Sequence, residues 1–220
     1  MTACQSGLNT KTNKIGYVAA QGKDNSEVTG GANAFAIGVE SVNPQAKVYI
    51  HVTHTWYDPM GEATAAKILL NAGCDVIAQH CDTDSPQVEA RRAGVYGIGY
   101  NSDMAKSVPE AVITSVVWNW GKYYNYLIQS VIAGTFTTKP YYGGLQEGLI
   151  DITPIASFAA PGTAEAVEKA RQRIIYEGYN IYDGILETND GKFIGEETGT
   201  LSDEKILRGM NWYYKNIIEK

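Results

Sequence analysis

No apolar run in this chain approaches the length of a membrane span; the longest are strand-sized. Basic residues are the minority, 18 Lys and Arg against 24 Asp and Glu, for a formal net charge of −6. That balance supplies no basic footprint, so no nucleic-acid partner is expected. The three cysteines, Cys4, Cys74 and Cys81, are odd in number and irregular in spacing, which gives no disulfide framework. Enzyme signatures are missing too. There is no G-x-S-x-G elbow, no P-loop lysine motif and no G-x-G-x-x-G after the first apolar run. Neither a Cys–His–Asn set nor a carboxylate pair stands out, so no catalytic residue and no cofactor is named. There is no internal repeat, no low-complexity linker and nothing resembling a signal peptide. The opening Met1-Thr2-Ala3-Cys4-Gln5-Ser6-Gly7 does look like the end of a bacterial lipoprotein signal, but no charged and apolar run precedes the cysteine.

What is present reads as ordinary soluble globular protein. Over 220 residues, 44% are hydrophobic and 19% charged, enough for one large α/β domain or two smaller ones. The 15 tyrosines suit surfaces that contact something. Four short apolar runs, Lys14–Ala20, Val48–Thr55, Asp75–Gln79 and Val95–Tyr100, each end in polar and aromatic groups. Helix-period segments fill the gaps, so the runs are expected to form parallel strands of one sheet with right-handed crossovers. In such a sheet the carboxyl ends share one edge, where ligands bind. Gln21, Trp56, His80 and Asn101 should then be neighbours.

The second run alternates, Val48, Ile50 and Val52 against Tyr49, His51 and Thr53, which predicts an edge strand. The third is continuously apolar at its centre and reads as buried, giving a 2-1-3 order. Between them, Glu27–Ser41 forms a helix burying Val28, Ala32, Phe35, Ala36 and Val39, and Met60–Ala72 forms another, ending at Gly73. Ser85 caps a third, with Pro86 at its first position. Val112–Val117 is a fifth strand, leading into an amphipathic helix whose buried face is Trp120, Tyr124, Leu127, Ile128, Val131 and Ile132. Pro140–Ile155 reads as extended or hairpin structure, and Pro161–Glu177 as a helix with Ala166, Ala170, Ile174 and Ile175 inward. Asn189-Asp190-Gly191 turns a hairpin, and a last helix runs from Ser202 to about Ile218.

Trp56, at the end of its strand, is either a core residue capping the sheet or a flat wall for an aromatic ring. Asp58 reads as a turn residue and helix cap. His80 and Cys81 point to opposite faces, as do His51 and His54, so no metal site is expected. A neutral His80 hydrogen-bonding a ligand is the favoured role. Asn101 offers a donor and an acceptor and Asp103 accepts only, which suits a nucleobase edge or sugar hydroxyls, or else a capping loop.

Several motifs jointly carry a resemblance: Thr12-Asn13-Lys14-Ile15-Gly16-Tyr17-Val18, Asn33-Ala34-Phe35, Val42-Asn43-Pro44, Thr55-Trp56-Tyr57-Asp58-Pro59, Gln79-His80, Gly97 to Met104 and Thr114 to Gly121. The tail, with Gly143-Gly144-Leu145, Leu201-Ser202-Asp203 and Met210-Asn211-Trp212, is similar as well. From about residue 7 onward the chain resembles the basic membrane protein family, the substrate-binding lipoproteins of bacterial ABC importers that include purine nucleoside receptors. The resemblance implies a periplasmic-binding-protein type I fold with two α/β lobes clamping a purine-type ligand, an ABC permease as partner, and a membrane-anchored extracytoplasmic location. It implies Trp56 as the stacking aromatic, and matches Gly99 to Asp103 with a ribose-contacting G-x-D-x-D segment. Here Asn101 replaces its first carboxylate, and Trp118 stands where nucleoside binders carry a lysine. A free nucleobase is therefore expected over a nucleoside.

Family members open with most of a first lobe, which this chain is expected to lack. Residues 14–115 should form the second lobe, 116–150 a crossover and first-lobe remnant, and 151–220 a segment returning to the sheet. The remnant should expose apolar surface, leading to a homo-oligomer or rearranged packing, and binding should be weakened. Two other readings remain: an α/β enzyme acting on nucleosides, and the effector-binding lobe of a regulator.

Overall fold

The computed structural model describes residues 1–139 and 141–220. Its centre is a seven-stranded sheet in the order β6-β5-β4-β3-β1-β2-β9. Strands β1 (Lys14–Ala19), β2 (Lys47–Val52), β3 (Val76–His80), β4 (Tyr96–Asn101) and β5 (Val112–Trp118) run parallel, as does β9 (Ile217–Glu219); β6 (Ile150–Ile152) is antiparallel to β5. The predicted strands and the 2-1-3 order are present, and helices cover both faces.

On one face lie α1 (Thr2–Asn9) and α2 (Ser26–Glu40), on the other α3 (Pro59–Asn71) and α4 (Ser85–Ala93). All five predicted core positions of α2 are buried, and the Asn25 side chain caps it by accepting from the amides of Glu27 and Val28. On α3, Asp58 is the cap, accepting from the Met60 amide, and Gly73 past the end is left-handed at φ +90°. Gly97 is demanded by packing. A Cβ there would lie 1.8 Å from Gln87 Oε1, whose amide nitrogen donates to Gln79 and to the carbonyls of Ile77 and Ile98.

Four expectations need correction. β2 is not an edge strand, because β9 pairs outside it; its alternation reflects a thinly covered face, where Lys14 and Lys220 lie over the Tyr49 ring. The last helix, α7 (Asp203–Arg208), stops at Gly209 instead of continuing. Beyond it Tyr213 and Tyr214 enter the core, and the Asn33 side chain holds that segment by donating to the Trp212 carbonyl and accepting from the Tyr214 amide. Asp84, not Ser85, is the N-cap residue of α4. Finally, α5 (Trp120–Ile132) buries only Ser130; Ile128 is 58% exposed and Ile132 81%. An amphipathic period fixes which side of a helix is apolar, not whether anything covers it.

The remaining helix, α6 (Thr163–Tyr176), packs beside α1, with Ala166, Ala170, Ile174 and Ile175 half-buried and Val167 buried. β7 (Leu186–Glu187) and β8 (Phe193–Ile194) form the expected hairpin. The predicted Pro140–Ile155 segment is mostly irregular apart from β6, and its Pro140 lies outside the described residues.

Candidate functional site

Two loops at the carboxyl edge are pinned to each other. The Trp56 carbonyl accepts from the Asp82 amide at 2.9 Å. The fully buried Glu62 carboxylate accepts from the Asp58 amide at 3.1 Å, the Thr83 amide at 3.1 Å and the Thr83 hydroxyl at 2.6 Å. One side chain of α3 thus ties the loop after β2 to the loop after β3. Trp56 packs against the cores on both sides of the sheet and keeps its place at the strand tip.

In-register parallel pairing then sets which side chains share a face. Ala19 pairs with His80, and Tyr17 with Ala78, so Tyr17 and His80 project to the side covered by α1 and α2. Tyr100, two residues past the Ala78 partner Ile98, follows, and so do Val116 and Trp118. The result is an aromatic row across the strand tips. The Trp56 ring meets His80 edge-on, centroids 5.6 Å apart; Tyr100 lies 4.4 Å beyond His80. Trp118 stacks on Trp120 at 5.5 Å.

His80 is only 6% exposed, and its Nδ1 lies 3.3 Å from the Tyr17 hydroxyl. Burial lowers its pKa to about 4, so the ring is neutral at neutral pH. Burial also raises Tyr17, and raises Tyr100 to about 12, keeping both phenols protonated. These three rings, with Gly31, Phe35, Val116 and the first residues of α1, line a cavity of about 230 Å³.

A second cavity of about 340 Å³ is lined by Tyr57, Asp82, Asp84, Ser102, Asp103 and Lys106 among others. Asp103 belongs here and pairs with Lys106 at 3.7 Å. Trp56 and Trp118 line neither of these two cavities, and nor does Asn101. It is exposed and left-handed at φ +67°, a conformation asparagine tolerates. The five residues named from sequence are therefore divided: Trp56, His80 and Trp118 along the aromatic row, Asp103 in the second cavity, Asn101 on the surface. Tyr17 and Tyr100 were missed, although strand parity would have placed both beside His80. Among the described residues no group of three His, Cys, Asp or Glu could hold a metal ion.

The family model of PnrA-like ABC transporter substrate-binding proteins (Bmp) matches residues 3–184. The chain belongs to this family. It is 33% identical over 194 residues to a purine-binding protein of Brucella abortus, covering 88% of this chain and 55% of that one. A Haloferax volcanii relative is 30% identical, with 87% of this chain and 49% of that protein covered. The chain thus spans about half the length of these curated relatives. Among solved structures, a solute-binding protein of an ABC transporter system from Conexibacter woesei superposes with a TM-score of 0.66 at 22% identity, covering 81% of this chain and 60% of that one. One from Aeropyrum pernix K1 gives 0.66 at 16% identity, covering 81% and 63%. The fold is that of the periplasmic binding proteins.

Proposed function

We propose that this Bmp-family chain supplies one wall of the solute site of an ABC importer and that its solute is a purine-type heterocycle, bound without chemical change. The observation that carries the reading is the aromatic row, with Trp56 and His80 in edge contact at the tips of separate strands. A flat ring laid on an indole gains about 1–3 kcal/mol, and the neutral imidazole beside it adds direction. The name of the Brucella relative supports the same class of solute. Residues 14–115 act as the recognition lobe, Asp103 contacts polar substituents from the second cavity, and Asn101 and Trp118, in place of a carboxylate and a lysine, favour a free base over a nucleoside. The partner is the importer's permease, on the extracytoplasmic side of the membrane and with a lipid anchor. No helix among the described residues is long and apolar enough to cross a membrane.

Isothermal titration with adenine, adenosine and glucose tests this, glucose being the solute named for the Haloferax relative. Adenine should bind most tightly. Tighter binding of adenosine would overturn the preference for a base, and tighter binding of glucose would overturn the heterocycle.

A further inference from the structure

We infer that Tyr17 fixes the tautomer of His80, so that the imidazole offers a solute one hydrogen-bond donor, Nε2–H, and selects rings that place an unprotonated nitrogen or a carbonyl oxygen against it. The solute half of this inference rests on the purine reading above; the tautomer half does not.

Tyr17 is 4% exposed, and among the described residues its phenolic hydrogen has one acceptor within reach, His80 Nδ1 at 3.3 Å. Donating to Nδ1 requires a lone pair there, which puts the ring hydrogen on Nε2. The opposite tautomer would turn Nδ1–H toward the phenol oxygen and leave the phenolic hydrogen without a protein acceptor among the described residues. Gly31 of α2 makes the arrangement possible. A Cβ at that position would lie 2.8 Å from Nδ1 and 3.0 Å from Cε1 of the ring. Burial disfavours the imidazolium, so the ring remains a one-donor group. Nε2 has no protein partner among the described residues, and the ring lines the 230 Å³ cavity. A donor without a protein partner, on a ring that lines a cavity, calls for an acceptor on the occupant. Purine ring nitrogens and an exocyclic carbonyl meet that requirement; an ammonium group does not.

Long-range proton–nitrogen correlation spectra of ¹⁵N-histidine-labelled protein at pH 7 test both halves, with His51 and His54 as internal references. In the free protein the His80 Nδ1 should resonate as an unprotonated nitrogen and Nε2 as a protonated one. Tyr17→Phe should move His80 alone toward a tautomer mixture and weaken adenine binding by about 3- to 10-fold. Adenine should shift Nε2, and at least one analogue with carbon in place of a ring nitrogen should bind about 10-fold worse. A protonated Nδ1 in the free wild type overturns the inference, as does adenine binding that leaves Nε2 unmoved. Should adenine not bind at all, the purine reading falls, while the free spectrum still decides the tautomer. A Tyr17→Phe chain that fails to fold leaves the wild-type spectrum as the deciding measurement.

Discussion

The sheet with α1 to α4 and the segment from α5 through residue 149 are written in similar apolar alphabets and end in opposite states. Ile15, Ile77 and Ile113 are fully buried, whereas Trp120, Tyr124, Ile128 and Ile132 stand 45–81% exposed. The first region meets its partners within the chain: β1 lies between β2 and β3, and α2 is roofed by α1 and the Tyr213–Tyr214 segment. The second is held chiefly by its own aromatic contacts, with Tyr123 stacked on Tyr141 at 4.4 Å. Periodicity encodes a face, and the partner has to come from elsewhere in the fold or from another molecule.

Truncating a residue of the closed core has the largest effect. Ile113→Ala in β5 should cost about 2–5 kcal/mol in denaturant unfolding, since it opens a cavity in a closed core. His80 gives the next largest effect, through pH. Its folded pKa of about 4 lies below the ordinary 6.5, so the unfolded chain takes up the proton first. Stability is then whole above about pH 6.5 and lost as the pH falls toward 4, by about 3 kcal/mol from this group. His80→Gln should flatten that part of the pH–stability curve; an unchanged slope would count against a buried neutral ring. Asn33→Ala, which removes both contacts to the C-terminal segment, should cost about 1–3 kcal/mol and loosen β9 first in hydrogen exchange.

The smallest effect belongs to the exposed helix. Ile128→Ala and Ile132→Ser should change monomer stability by no more than about 0.5 kcal/mol. Exposed apolar surface of this kind is expected to associate. Sedimentation should show self-association in the unmodified chain, reduced in the double variant. A monomer at all concentrations would remove the proposed homo-oligomer.

Much of the architecture was legible because it rests on local signals. Continuous apolar runs marked β1, β3 and β5, Asn-Pro and Gly73 stopped helices, and strand tips brought Trp56 and His80 together. The signals that failed were non-local. Ile217-Ile218-Glu219 is too short to show a period, and it pairs with Val48 across the length of the chain. Tyr17 lies inside a buried run, where strand parity sets the side it faces but not whether it packs or addresses a histidine. Asn101 and Asp103 looked like a pair by spacing, yet the left-handed turn at Asn101 sends them to different surroundings.

Calorimetric titration of adenine into the unmodified chain and into Trp56→Ala is the most direct test of the solute site. A single saturable site that weakens by about 10-fold or more without the indole is the predicted result. Equal affinity in the two proteins would contradict it.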